Sequence, residues 1–315
     1  MSQNSILDNI EAIINNSHGF GFELYACVRE EEKTIIKKFL ITDNLMEQLK
    51  AKVKEAISKN YLGREVEDIL DVADNKKVLY DVPRNEMYNP FSFLDTWADI
   101  SEQYEAKDKE SLTGFAFKIN FNDQQFWGYQ QLYSMSMINK SKNIYAIIGK
   151  NNVYDVIEKD FIAISGRIDM LILEGHILTD KTDLLQNKFG FDQVIRNEAE
   201  QIVEEIMNMD ILSNPEKLKS FSKKEKLTNA KKIMKAKNSP IIKMDKTELV
   251  SRIKKHPRYR EMVKIENGKI ITGTEKELKA FIKLINDDLV KSELSDVEYD
   301  SPSKKVLDPL VAAEY

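Results

Sequence analysis

Phe115, Phe117, Ile119 and Phe121 alternate with Ala116, Lys118 and Asn120. This period of two predicts a β-strand with one face in a core. Strand-like segments follow at short intervals over Gln125–Met137, Asn143–Ile148, Phe161–Ser165 and Ile168–Leu173, separated by polar turns such as Asn139–Lys142. Adjacent strands without intervening helices predict an antiparallel meander. Upstream, Phe20–Val28 and Thr34–Ile41 flank the charged turn Glu30–Lys33 and predict a β-hairpin, and Lys77–Val82 reads as a strand stopped by Pro83.

Helical spacing dominates elsewhere. Ile6, Ile10 and Ile13 follow a possible cap at Ser5, and Leu45, Leu49, Val53 and Ile57 form an i, i+4 stripe after Asp43. Pro90–Tyr104, with Phe91, Phe93, Leu94 and Trp97, also has a helical pattern. Beyond Phe191 the chain turns helical. Asp192–Met209 carries Val194, Ile195, Ala199, Ile202, Val203 and Ile206 on one face. Asn214-Pro215 breaks the chain, and three Ser/Thr/Asp-x-x-Glu boxes then predict helix starts, at Ser222–Glu225, Asp245–Glu248 and Thr274–Glu277. Asn267-Gly268 marks a small hairpin or turn. The expected fold is α+β, with an N-terminal sheet-and-helix section, a central antiparallel sheet and a helical basic C-terminal section. The boundary is expected near 190, giving an acidic section over 1–190 and a helical section over 191–315.

Charge sharpens this division. The 315 residues carry a net charge of −5, yet Lys217–Lys264 holds 17 Lys/Arg against four Asp/Glu, an excess of 13. The remainder holds 30 Lys/Arg against 48 Asp/Glu. Such asymmetry points to a polyanionic partner, since crowded cations repel unless an anion offsets them. The expected contacts are Lys223, Lys224, Lys231, Lys232, Lys235, Lys237, Lys243, Arg252, Lys254, Lys255, Arg258 and Arg260. They lie around amphipathic helices whose inner faces are Leu227, Ala230, Ile233 and Met234, then Leu249, Val250 and Ile253. Cations spread in this way suit phosphate contact more than base reading. The bland alternative is a solvated helical face, and a third is docking on an acidic protein surface, for which Glu65, Glu67, Asp68, Asp287, Asp288, Glu293 and Asp296 offer carboxylates.

Other chemistry finds weaker footing. The single Cys27 excludes an internal disulfide framework and suits a reducing compartment. His18, His176 and His256 are widely spaced, so no metal site or cofactor is expected. A metal-dependent nuclease would draw on Asp95, Asp99 and Glu105-Ala106-Lys107, or on Asp169, Glu174 and His176. Trp127, Tyr129 and Tyr133 are placed to stack bases, although alternating aromatics on a strand usually form core. With no secretory leader and no long apolar run, a soluble cytoplasmic protein is expected.

The order of elements resembles a known family. The stretches Asp160-Phe161-Ile162-Ala163-Ile164, Asp169-Met170-Leu171-Ile172-Leu173, Ile177 and Phe189-Gly190-Phe191 are similar to the KwaB subunit of the Kiwa anti-phage system. So are Thr274–Leu284, Ile285-Asn286-Asp287-Asp288, Ser292-Glu293-Leu294, Tyr299 and Ser303-Lys304. The resemblance covers roughly the second half of the chain and contains no catalytic motif. It implies a cytosolic effector that binds DNA without strong sequence preference and pairs with KwaA, a transmembrane subunit, at the inner membrane face. Such an effector would restrain phage DNA replication and expression. The resulting expectation is a non-enzymatic DNA-binding homodimer with no catalytic residues. Asn286-Asp287-Asp288 and Tyr299 are expected to close against the core.

Overall fold

The computed structural model describes residues 3–69, 78–96, 100–133, 137–138, 147–150, 153–156, 161–224, 227–291 and 298–301. The chain divides into two units, Met1–Glu67 with Lys76–Thr182, and Asp68–Asn75 with Asp183–Tyr315. Trp97, Asp99, Glu225, the Asn139–Lys142 turn, Ser292-Glu293-Leu294 and Ser303-Lys304 lie outside the described residues. The fold is α+β, as expected.

In the first unit, β1 (Gly21–Glu30) and β2 (Lys33–Lys38) form the expected hairpin, with Glu31 at φ 53° in its turn. Next come β3 (Val66–Asp68), β4 (Leu79–Pro83), β5 (Leu112–Phe121) and β6 (Gln124–Gln131). Two small pieces follow, in which β7 (Met137–Ile138) pairs with β10 (Phe161–Ile162) and β8 (Ile147–Lys150) pairs with β9 (Val153–Val156). Then β11 (Met170–Leu173) and β12 (His176–Thr179) complete a single eight-stranded sheet, ordered β2-β1-β5-β6-β11-β12-β4-β3. The first hairpin therefore shares its sheet with the central strands, because β1 pairs antiparallel with β5, Leu24 opposite Phe117 and Ala26 opposite Phe115. The expected strand Gln125–Met137 is divided between β6 and β7.

The sheet buries both faces in its centre. One face presents Leu24, Ala26, Phe115, Phe117, Ile119 and Leu171 to α1 (Gln3–Ile14) and α2 (Asp43–Asn60). These helices contribute Ile6, Ile10, Ile13, Leu49, Val53 and Ile57. Leu45 begins the predicted α2 stripe but is exposed, since Thr42 caps the helix just before it and accepts its amide. On the other face, Tyr25 packs edge-on to Trp127 at 5.4 Å, and Tyr129 edge-on to Phe91 at 5.3 Å. Trp127 and Tyr129 are thus core residues rather than a stacking platform. Cys27 is fully buried on this face, and burial pushes its thiol well above the usual range.

Among the described residues of Pro90–Tyr104 the predicted helix is replaced by a 3₁₀ turn, Ser92–Leu94. Phe91 and Leu94 are three residues apart, and that single turn buries both. The backbone beyond goes to an edge of the sheet instead. Lys38 N donates to Glu102 O at 2.9 Å, and Tyr104 N donates to Lys38 O at 3.0 Å. The strand edge satisfies these amides, which a helix would have used internally.

In the second unit, Gly190 at φ 67° separates α3 (Thr182–Phe189) from α4 (Phe191–Asn208). The helix α4 packs on α5 (Pro215–Ser222) and α6 (Leu227–Met234) through Ile195, Ala199, Ile202 and Val203. Two 3₁₀ turns, Lys235–Asn238 and Pro240–Lys243, lead into α7 (Lys246–Lys255) and α8 (Pro257–Met262). His256 is extended before Pro257, as steric crowding by a following proline requires, so the two helices meet at a bend. The hairpin β13 (Ile265–Glu266) and β14 (Lys269–Ile270) turns at Asn267 and Gly268, with φ of 51° and 73°. Both values are positive, the geometry an Asn-Gly turn supplies. Last come α9 (Glu275–Ile285), β15 (Leu289–Lys291) and its partner β16 (Glu298–Asp300).

Thr274 and Glu277 form a complete reciprocal capping box for α9, and Asp245 caps α7 by accepting the amides of Thr247 and Glu248. Ser222 does not start a helix. It is buried at the end of α5, where its hydroxyl donates to Lys219 O at 2.7 Å. The single helix expected over 223–237 is therefore shorter, beginning at Leu227.

Lys37 is the least expected member of the first unit's interior. Its side chain is 6% exposed and its ammonium lies 2.9 Å from Glu30, 3.1 Å from Asp108 and 3.4 Å from Glu102. Glu30 first, then Asp108, holds this ammonium well above the ordinary lysine range, against the effect of burial. Asp108 is itself buried. Removing the cation leaves the buried Asp108 with the Glu105 amide but without its ammonium, so Lys37→Ala should destabilise the protein by about 3 kcal/mol, against little loss for Lys37→Arg. Urea denaturation followed by circular dichroism measures both; equal midpoints for Lys37→Ala and the wild type would remove Lys37 from the stabilising set.

Candidate nucleic-acid interface

The basic segment folds as part of the second unit, not as a tail. Ala230, Ile233 and Met234 anchor α6, and Leu249 and Ile253 anchor α7, leaving the lysines and arginines on the outer sides. Val250 and Leu227 are only partly buried. Amphipathic patterning explains this placement, because each helix turns its apolar stripe to the unit's core.

The twelve expected contacts do not behave alike. Four are held by acids of the same unit. Lys223 pairs with Glu200 at 3.1 Å, Lys224 with Glu275 at 2.8 Å, Lys237 with Glu198 at 3.2 Å and Arg252 with Glu248 at 2.7 Å. Lys246 and Lys269 share Asp210 at 2.9 and 2.6 Å. None of the partner acids is among the carboxylates expected from sequence. Glu198 and Glu200 lie on α4, Asp210 follows α4, and Glu275 opens α9. Their separation along the chain hid them; the i, i+4 spacing of Glu248 and Arg252 was legible.

A second group stays open. Lys231, Lys232, Lys243, Lys254, Lys255 and Arg260 form no ion pair among the described residues, and all but the partly buried Lys231 are exposed. Lys235 is partly buried on the 3₁₀ turn after α6, and Arg258 is exposed on α8.

The end of α9 ties these clusters together. Asn286 Nδ2 donates to Lys232 O at 3.0 Å, and Tyr259 Oη donates to Asp287 Oδ1 at 3.0 Å. Asp287 adopts φ 56° as the chain leaves α9, and Asn286 and Asp288 are buried. The end of α9 thus meets both the end of α6 and the middle of α8. Asn286-Asp287-Asp288 closes on the unit as expected. Tyr299 does not, being 52% exposed on β16.

The described nuclease candidates Asp95, Asp169 and His176 are each held by a separate partner. Asp95 pairs with Arg84 and accepts from Asn89, within the turn that covers the sheet. Asp169 pairs with Arg167 at 2.9 Å and lies at the open end of the β11–β12 hairpin, beside Thr179. His176 is at the turn end and contacts Asp81 at 2.9 Å. Burial raises the Asp81 carboxyl above its usual range, with His176 pulling the other way. Among the described residues, no three His, Cys, Asp or Glu side chains gather as a metal site. Tyr133 is exposed beneath the Arg167 guanidinium, 4.9 Å from its ring centre.

A family model described as Kiwa protein KwaB-like matches residues 109–295, more than half of the chain. The chain belongs to that family. It is also similar to Kiwa protein KwaB of Escherichia coli O55:H7 (strain RM12579 / EPEC), with 20% identity over 323 aligned positions, covering 98% of this chain and all of that protein. No solved structure matches it. No helix among the described residues is long and apolar enough to cross a membrane.

The latching acids carry a pH signature. Lys246 and then Lys269 lower Asp210 from its ordinary 3.8 to about 2, and Lys224 and then Lys279 lower Glu275 from 4.5 to about 2. A depressed carboxyl stabilises the fold above its unfolded value, and the gain is lost as pH falls through the folded one. The wild type should therefore melt above an Asp210→Asn, Glu275→Gln variant from neutral pH down to about 4.5, with the difference vanishing by about pH 2. The groups are exposed, so 1 M salt should shrink the gap. Thermal melts across pH at two salt concentrations test this; a gap unchanged at pH 2 would rule the latches out.

Proposed function

We propose that this chain binds DNA without strong sequence preference through the open cations of its second unit. The observation that carries the reading is the set Lys231, Lys232, Lys243, Lys254, Lys255 and Arg260, which form no ion pair among the described residues while neighbouring cations are matched to acids. Unmatched cations on ordered helices gain affinity for a polyanion through counterion release. Membership of the KwaB-like family supports a setting in Kiwa defence. In it, the protein is an anti-phage effector that works as a homodimer with a transmembrane KwaA-type subunit, restrains phage DNA replication and expression, and has no catalytic step of its own.

Six phosphate contacts imply a slope of roughly −5 for the logarithm of affinity against the logarithm of salt concentration. The variant Lys254→Glu, Lys255→Glu, Arg260→Glu should bind a random-sequence duplex more than about tenfold more weakly, with a slope shallower by about 3. Reversing the latched Lys223 should do much less. Gel shifts from roughly 50 to 300 mM salt measure both. Undiminished binding by the triple variant would defeat the assignment. Plasmid incubated with Mg²⁺ should stay intact, and cleavage would instead support a nuclease.

The latches favour one competing reading, since they show this segment's lysines already engaging carboxylates. In that reading the open cations meet an acidic protein. Partner capture that is lost in the triple variant, with no DNA shift in the wild type, would select it.

A further inference from the structure

A cavity of about 440 Å³ opens in the middle of the basic segment. Its wall is apolar, made by Ile241, Met244, Leu249, Ile253 and Leu284. Its mouth is polar, with Arg252 and Lys255 from α7 and His256 and Tyr259 from the bend into α8. The volume lies in the range of small-ligand pockets, which are mostly apolar with a few placed polar groups.

Each polar group at the mouth has a definable role. Tyr259 is pinned by its hydroxyl to Asp287, so its ring is held as a fixed edge of the cavity. The His256 and Tyr259 rings lie 4.8 Å apart at 50°, a tilted aromatic pair beside the opening. Arg252 is half-neutralised by Glu248, whereas Lys255 forms no ion pair among the described residues. Lys254, Arg258 and Arg260 are exposed next to it in sequence. Asp287 is the one carboxylate at the mouth, and it already accepts from Tyr259.

An apolar, aromatic-edged cavity with Arg252 and Lys255 in its lining matches one chemistry closely: a flat apolar group with an anion beside it. An unpaired nucleotide base within a strand has that form. We propose that this cavity accepts an unstacked base of single-stranded DNA, while Lys254, Lys255, Arg258 and Arg260 hold the flanking phosphates. This deepens the DNA-binding reading above and rests on it. Duplex DNA keeps its bases stacked, so it uses the cations without entering the cavity. The protein would therefore prefer frayed ends, gaps and overhangs, a selectivity that needs no base sequence.

The test compares a blunt duplex with the same duplex carrying a ten-thymine 3′ overhang, by fluorescence anisotropy on the full chain; the overhang length is an arbitrary design choice, roughly one single-strand site. The overhang should bind about tenfold tighter, equivalent to about 1.4 kcal/mol and in the range of one stacked base. Met244→Trp, which fills the cavity, should erase that preference and leave blunt-duplex affinity unchanged. The retained duplex binding shows that the variant is folded. As a second probe, a 2-aminopurine in the overhang should brighten on binding to the wild type and not to Met244→Trp. Equal affinity for both DNAs in the wild type, or a preference that survives Met244→Trp, overturns the cavity's role while leaving duplex binding intact. Failure of both DNAs to bind at low salt overturns the DNA reading itself, and this inference with it.

Discussion

Like charges crowded into one stretch of chain repel one another, and the second unit depends on how that repulsion is met. An excess of 13 positive charges within Lys217–Lys264 cannot be folded onto a small helical core without local compensation. Acids from α4, the turn after it and the start of α9 supply this compensation at 2.8 to 3.2 Å. What remains exposed is therefore a remainder. The surface available to a partner is the part of the positive charge that the unit leaves unmatched.

The two units divide labour in physical terms. The first is a sheet buried on both sides, with its ionic groups turned to structural use. Lys37 binds three acids and Lys118 is buried beside Glu23, which also accepts from Tyr25. The second carries its charged groups outward on short helices. The family match begins just before β5 and runs past α9, so it takes in four of the eight strands of the large sheet and the entire basic segment. The N-terminal hairpin falls outside that match, yet it pairs directly with β5.

Much of this was legible in the chain, for reasons that are local. Alternation marks β5, the i, i+4 stripe marks α2, and Asp245 and Thr274 cap the helices they precede. These signals succeed because neighbours in sequence decide them. What depended on distant partners was not legible. No spacing announces that β1 lies against β5, or that Lys223 meets Glu200 and Lys224 meets Glu275. Pro90–Tyr104 misled because its aromatics fit a helical period, while its backbone amides found a strand edge. The cavity walls come from a 3₁₀ turn and two helices that only folding brings together, although the apolar Pro240–Ile242 stretch amid lysines was a visible hint.

The sealed position of Cys27 has a practical consequence. It is the chain's only cysteine, it has no exposure, and its thiol stays protonated far beyond neutral pH. Thiolate is the reactive form, so maleimide chemistry will pass over the native protein. A cysteine introduced anywhere on the surface becomes a unique attachment point without first stripping the background. A dye, spin label or crosslinker can therefore be placed on either unit, and the surroundings of the basic helices probed in a molecule otherwise unaltered.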